Sequence, residues 1–420
     1  MADGTELVYG PQSFVAAAGG VAEAARHGVS PGINIEPGSN DDGWEVPQPV
    51  MLDGGTRVQL YKDGEALHAA YQAIDAAQRR VCLEVYIFRS DDTGLAFAEL
   101  LCRKARQGVQ VYVIYDSYGS LASDGGMFER MKTAGVRLAE FHPVWPWKCH
   151  FGWRPVNRDH RKLLVIDDEV AGLGGLNVGA EYAGSWVVHS RRRDCPWRDN
   201  AVGLRGRAAQ LLMAAFARSW RYIHQGGRIR RAELMHNLLE GDLGVLASVP
   251  TLSSPVVPML TRLLREARSS ILLTMSYFAP PDELVEELCR AAQRKVRVGI
   301  MLPGQCDVPL LMTAARSFYE SLLSAGIEVY ERQGAILHAK SLCIDQHTTI
   351  LGSLNLDYRS IEYNLELSVL IRHKEFGRQM HALFDNDVRY SKRVDLAQWR
   401  HRPMLDRLVQ RVVNRARSLL

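Results

Sequence analysis

Two stretches of eighteen residues, His160–Asn177 and His338–Asn355, agree at nine positions without a gap. The first reads HRKLLVIDDEVAGLGGLN and the second HAKSLCIDQHTTILGSLN. Each carries His-x-Lys, four further residues, an Asp, and then a Gly and an Asn at matching offsets. An apolar frame repeated together with its polar side chains restricts the chain to an internally duplicated fold, with one site assembled from two similar halves.

The surroundings of the motifs repeat as well. Ahead of the first, strand and helix patterns alternate. They run as a strand over VQLY, a helix from Glu65 to Arg80, a strand from Val81 to Phe88 and a helix from Thr93 to Gln107. A strand from Val109 to Asp116, a helix from Met127 to Ala134 and a strand over VRLAEF follow. Ahead of the second motif come a helix from Val256 to Ser269, the strand ILLTMSYF, a helix from Pro281 to Arg294, the strand VRVGIML, a helix from Pro309 to Ala325 and the strand IEVYER. Strands alternating with helices predict an α/β fold of two duplicated lobes, each a mixed β-sheet flanked by helices. The boundaries read as a Gly-, Ala- and Pro-rich flexible extension over 1–50 with one short helix, a first lobe over 51–225, a linker over 226–255, a second lobe over 256–395, and a C-terminal helix over 396–420. The motifs are offset by 338 − 160 = 178 residues, the strands before them by 325 − 134 = 191. The first lobe therefore holds thirteen extra residues, within a loop that carries Trp145, Trp147, Phe151 and Trp153.

Side chains two apart on a strand point the same way, so His160 with Lys162, and His338 with Lys340, project together. Gly174 and Gly352 allow close backbone approach, and Asn177 and Asn355 supply amides. Two His, two Lys and two Asn suit a phosphoryl group: Lys and Asn hold the non-bridging oxygens, one neutral imidazole attacks phosphorus, and the other, protonated, serves the leaving alkoxide. Each imidazole needs an orienting acceptor, and Asp199 and Glu366, which follow the respective motifs, are the candidates. This chemistry requires no metal and no cofactor. A zinc site from His160 and His338 is disfavoured by the adjacent lysines.

Composition narrows the field. The net charge of +4 and the lack of a strong basic stripe argue against nucleic acid as the partner. Seven cysteines without a CxxC pair suggest a reducing compartment. The opening MADGTELVYG has neither the basic start nor the apolar core of a signal peptide, and no run of eighteen apolar residues exists to span a bilayer. Two features suit a membrane surface. Met404–Leu420 places Leu405, Leu408, Val409 and Val412 on one face and Arg407, Arg411 and Arg415 on another, which fits a helix lying on a membrane or one docked on a core. The tryptophan loop fits the headgroup zone or a packed loop, and Arg191–Arg193 fit anionic headgroups or a solvated charge run.

The two motifs make the sequence similar to the phospholipase D superfamily, whose signature is HxKxxxxD with a trailing GG/GS-x-N. His160, Lys162, Asp167, Gly174, Gly175 and Asn177 match one copy. His338, Lys340, Asp345, Gly352, Ser353 and Asn355 match the other. With the WRD at 197–199 and the run from Asp357 to Glu366, the chain from about residue 55 onward most resembles bacterial cardiolipin synthases. The resemblance implies a site at the lobe interface, with His160 as nucleophile forming a phosphohistidine and His338 as general acid. Lys162, Lys340, Asn177, Asn355 and Ser353 would bind phosphate, and Asp167 and Asp345 would be mainly structural. It implies transfer of a phosphatidyl group from phosphatidylglycerol, or another phospholipid, to the hydroxyl of phosphatidylglycerol at an anionic membrane surface, peripherally on the cytoplasmic side of the bacterial inner membrane. The longer synthases begin with spanning helices, so this chain looks like the shorter kind. The alternatives are a hydrolytic phospholipase D, a phosphatidylserine synthase, a nuclease of the same fold, or a lipid binder without activity.

Overall fold

Short, strongly apolar strands form the framework, and amphipathic helices cover them. The computed structural model describes residues 43–148, 156–184, 197–226, 238–248 and 256–417. Most of the expected extension, most of the linker, Phe151, Trp153 and Arg191–Arg193 lie outside the described residues.

The first sheet uses β1 (Val50–Met51), β2 (Arg57–Lys62), β3 (Arg80–Val85), β4 (Gln110–Asp116), β5 (Arg137–Phe141), β6 (Leu163–Ile166), β7 (Val170–Gly174) and β9 (Asn200–Arg205), with β8 (Trp197–Arg198) outside it. Its order is β1-β2-β9-β7-β6-β3-β4-β5. The second sheet uses β10 (Leu238–Glu240), β11 (Leu243–Ser248), β12 (Ser270–Met275), β14 (Arg297–Pro303), β15 (Glu328–Arg332), β17 (Lys340–Ile344), β18 (Thr348–Gly352), β20 (Glu366–Arg372) and β21 (Ser391–Arg393). The short β13 (Phe278–Ala279), β16 (Ile336–Leu337) and β19 (Leu356–Asp357) stand apart from it. Its order is β10-β11-β20-β18-β17-β12-β14-β15-β21. Strand for strand, the second order repeats the first and adds one edge strand. In each, three strands run parallel (β3, β4 and β5; β12, β14 and β15), and the strand that opens with the motif runs antiparallel to the first of them. The expected duplicated, mixed α/β architecture is therefore observed.

Two expected helices run too long. They are Gly64–Ala76 and Val256–Glu266 instead of extending to residues 80 and 269. One cause serves both. The backbone N–H groups of Gln78, Arg79 and Arg80 donate to the Asp167 carboxylate, and those of Arg268, Ser269 and Ser270 donate to Asp345. A bend that turns three successive amides onto one side chain cannot remain helical. The single helix expected over 309–325 is two, Pro309–Arg316 and Tyr319–Ser324. Ser317 ends the first by donating both its N–H and its hydroxyl to the Ala314 carbonyl.

The inner faces of the two sheets share one core. Leu163, Val165, Leu173 and Val202 from the first lobe pack in the same apolar cluster as Leu351, Leu367 and Val369 from the second. Short backbone ladders then stitch the lobes together. β8 pairs with β16 in parallel, Trp197 opposite Ile336 and Arg198 opposite Leu337, and Asp159 bridges Leu365. Two buried arginines add register: Arg198 grips both carboxylate oxygens of Asp387 at 2.8 Å, and Arg161 donates to the Ser248 carbonyl at 3.1 Å.

Candidate active site

The register of β6 on β3 (Leu163 opposite Glu84) and of β17 on β12 (Lys340 opposite Met275) sets both motif histidines at the carboxyl ends of the parallel strands. That is where open α/β sheets expose their loops and bind ligands. The cross-lobe ladders fix the two imidazoles. His160 donates its backbone N–H to the Leu365 carbonyl at 2.9 Å, and His338 donates its own to the Arg198 carbonyl at 2.7 Å. The next residue after each of those carbonyls is a buried acid, Glu366 and Asp199.

The pairing is crosswise. His160 Nδ1 lies 3.1 Å from both oxygens of Glu366, an acid of the second lobe. His338 Nδ1 lies 2.7 Å from Asp199 Oδ2, an acid of the first. The sequence put Asp199 and Glu366 beside the histidines without assigning which served which, and the answer is that each carboxylate serves the other lobe's ring. With Nδ1–H held by a carboxylate, Nε2 is the free nitrogen of both rings.

The lysines complete the enclosure. Lys162 Nζ donates to the His160 carbonyl at 2.7 Å and sits 5.3 Å from the centre of the Tyr86 ring. Lys340 Nζ donates to the His338 carbonyl. All four motif side chains are buried. Burial lowers the His160 pKa, and it lowers His338 well below the usual histidine range, with Lys340, Lys162 and His160 adding to the effect on His338. Burial likewise brings Lys162 down to about 7 and Lys340 to about 8. Asp199 moves the other way, pushed up to about 6 by burial. These mutual influences across the lobe boundary reflect a single polar chamber with a strong demand for an anion.

The trailing residues differ between the copies. Asn177 accepts from the Ile87 N–H at 3.0 Å and donates to Tyr182 at 2.8 Å. Asn355 Oδ1 is buried with no hydrogen-bond partner among the described residues. Ser353 donates to Glu366 at 2.5 Å, whereas its counterpart is Gly175, where an added Cβ would stand 2.2 Å from Asp199 Oδ1. The shorter Asp carries its charge closer to the backbone, so the first lobe has room only for glycine. Asp167 and Asp345 lie outside this chamber, in the left-handed turns (φ 52° and 53°) at the far ends of β6 and β17. Five strand residues from the lysines correspond to about 16 Å. There each accepts three backbone N–H groups, which hold its carboxyl below the usual range.

Some chamber residues carried no sequence signal, and Trp197 carried one only as part of the WRD at 197–199. Tyr86 packs edge-on against His160, with ring centres 5.1 Å apart, and Tyr182 and Trp197 flank His338 at 5.5 and 4.9 Å. Asp116 accepts from the Asp159 N–H at 2.9 Å and so positions the residue before His160. Among the described residues no group of three or more His, Cys, Asp or Glu side chains is gathered in the manner of a metal site.

Comparison with known proteins agrees with this geometry. The family described as cardiolipin synthase, phospholipase D-like domain, matches residues 71–185 and 260–388, which contain both motifs. The chain belongs to this family. It is 31% identical over 371 residues to the cardiolipin synthase of Geobacillus thermodenitrificans, covering 87% of this chain and 72% of that protein. It is also 31% identical over 369 residues to the cardiolipin synthase of Alkalihalophilus pseudofirmus, covering 86% and 71%. In fold it is similar to the phosphatidylserine synthase of Haemophilus influenzae, with TM-score 0.67, 14% identity, and 89% and 97% of the two chains covered. The polyphosphate kinase of Porphyromonas gingivalis shares the fold at TM-score 0.54 and 14% identity, covering 86% and 53%. No helix among the described residues is long and apolar enough to cross a membrane.

Proposed function

We propose that this chain is a cardiolipin synthase that transfers a phosphatidyl group from one phosphatidylglycerol to the hydroxyl of another. The observation that carries the reading is the crosswise pairing of two buried imidazoles with two buried carboxylates beside two lysines. His160 Nε2 attacks phosphorus and the bond to the headgroup glycerol oxygen breaks. His338, protonated once the anionic diester has entered, gives its proton to that oxygen, and glycerol leaves. The headgroup hydroxyl of a second phosphatidylglycerol then loses its proton to His338 and attacks the phosphohistidine. The N–P bond breaks, cardiolipin forms, and His160 is restored. Lys162 and Lys340 hold the non-bridging oxygens throughout, with the amides of Asn177 and Asn355 and the hydroxyl of Ser353 near them.

One observation favours the reverse order of the histidines: the tighter carboxylate contact, 2.7 Å against 3.1 Å, belongs to His338. Mass mapping of the trapped phosphatidyl adduct decides between the rings.

The substrates place the work at a membrane surface, and we assign it to the cytoplasmic face of the bacterial inner membrane. The five described cysteines are unpaired, which suits that compartment. The helix Met404–Arg415 supports surface attachment in an unusual way. Its buried residue is the polar Gln410, while Leu405 and Leu408 are 70% and 58% exposed. The helix is thus docked on the protein and still turns its apolar face outward, a combination of the two arrangements its sequence allows. Trp145 and Trp147 stack at 5.2 Å and are likewise exposed.

Incubation with mixed phosphatidylethanolamine and phosphatidylglycerol vesicles tests the reading. Cardiolipin and free glycerol are the expected products, and His160→Ala is expected to form neither while still binding the vesicles. Phosphatidic acid without cardiolipin would reject transfer in favour of hydrolysis.

A further inference from the structure

The duplication pairs each element of one lobe with a counterpart in the other, and one such pair packs differently in the two lobes. In the second lobe, the helix Val256–Glu266 fills the space against its sheet with Val256, Leu260 and Leu263, of which the first two are buried in the core and the third packs against it. The cognate helix Gly64–Ala76 ends at the same offset from its strand and presents Ala66, Ala70 and Ala73 at those positions. The sheet changes in concert. Ile350 and Leu370, which face one another across β18 and β20, correspond to Gly172 and Gly203, which face one another across β7 and β9. Five large apolar side chains have become three methyl groups and two hydrogens.

The result is a cavity of about 180 Å³ between that helix and the first sheet. Its lining is almost wholly apolar, and it runs from Tyr61 and Val170 to Gly174 and Lys162. Four residues of strand separate Val170 from Gly174, about 13 Å of length. One end is thus lined by a lysine of the candidate active site. Ala66, Ala70 and Ala73 are only half-buried, so the cavity reaches solvent. An empty cavity of this size forfeits the packing that the second lobe enjoys. Cavities of about 150 Å³ with apolar walls take up apolar guests and stay dry.

We propose that this cavity is an acyl-chain site, which receives part of one fatty chain of the phosphatidyl group while its phosphorus is held between His160 and His338. The proposal rests on the phosphatidyl-transfer reading and adds the part of the substrate it left unplaced. It also assigns the donor to the first lobe, because in the second Val256, Leu260 and Leu263 fill the corresponding space.

Refilling the cavity from the second lobe's own sequence tests this. Ala70→Leu with Gly172→Ile restores two of the missing side chains. At Gly172 an added Cβ meets nothing closer than the Val202 carbonyl oxygen at 4.0 Å, so the backbone accepts the change. Burying each methylene raises affinity about fourfold, so losing the site for even two of them lowers it at least about tenfold. The variant is expected to show a KM at least about tenfold higher for dioleoyl-phosphatidylglycerol in detergent micelles, with kcat retained and dihexanoyl-phosphatidylglycerol turned over as before. Calorimetric binding of oleoyl-lysophosphatidylglycerol, which needs no turnover, is expected to weaken by a similar factor. Unchanged oleoyl-lipid binding, or an equal loss for long and short chains, overturns the proposal. If the native protein transfers no phosphatidyl group yet loses oleoyl-lipid affinity in the variant, the activity fails and the acyl site stands.

Discussion

Replacing Lys162 by methionine is expected to produce a protein that is more stable and inactive. The ammonium group is buried beside Lys340, and its pKa falls from 10.5 to about 7. At about 1.36 kcal/mol per pH unit, that displacement corresponds to about 5 kcal/mol of native-state destabilisation. Against it stands one hydrogen bond, from Nζ to the His160 carbonyl at 2.7 Å. A bond from a charged donor contributes about 1.5–3 kcal/mol. Methionine keeps the unbranched stem and removes the charge, so a net gain of about 2–3 kcal/mol remains. The gain depends on pH in a defined direction. The folded lysine holds its proton less tightly than the unfolded one, so the penalty is complete below about pH 7, declines as pH rises, and vanishes above about 10.5. Urea unfolding of both proteins at pH 6 and pH 10 measures it, alongside cardiolipin formation. A methionine variant no more stable than the parent at pH 6, or one whose advantage is the same at both pH values, would refute the electrostatic argument.

Two further outcomes follow from the geometry. Asp199→Asn removes the charge that orients His338, and turnover is expected to drop about 10²–10⁴-fold while thermal unfolding moves little; near-native turnover would show that the carboxylate is not needed. Asp345→Ala strips the acceptor from three backbone amides and leaves alanine in a left-handed turn, so urea unfolding should reveal a loss of about 2–4 kcal/mol with the chamber intact. Because the folded Asp345 carboxyl lies below its ordinary value, its contribution is present above pH 4 and lost as pH falls, so parent and variant should converge in strong acid.

The polar frame of the site could be read from the chain because it is local. His160 and Lys162 lie two residues apart, and a repeated spacing announces itself in one dimension. The alternation of strands and helices is equally local, and the expected order is the observed one. What sequence did not reveal are partnerships made at long range. The reach of Glu366 back to His160 spans 206 residues, and that of Asp199 to His338 spans 139. Nothing in either segment encodes which lobe it will face. The helix ends at Ala76 and Glu266 were missed for the same reason, since the capturing carboxylates arrive from Asp167 and Asp345 far along the chain. Tyr86 and Tyr182 look in sequence like ordinary core aromatics, and only the assembled lobes turn them toward the imidazoles.

The exchange of carboxylates between lobes means that neither half holds a motif histidine together with its acid. A small rotation at the shared boundary would detach both rings from their acids in one movement. In the proposed reaction, competence is therefore a property of the closed pair, gained or lost as a unit. A severed half could regain it only by docking against a complementary copy in the same crossed arrangement.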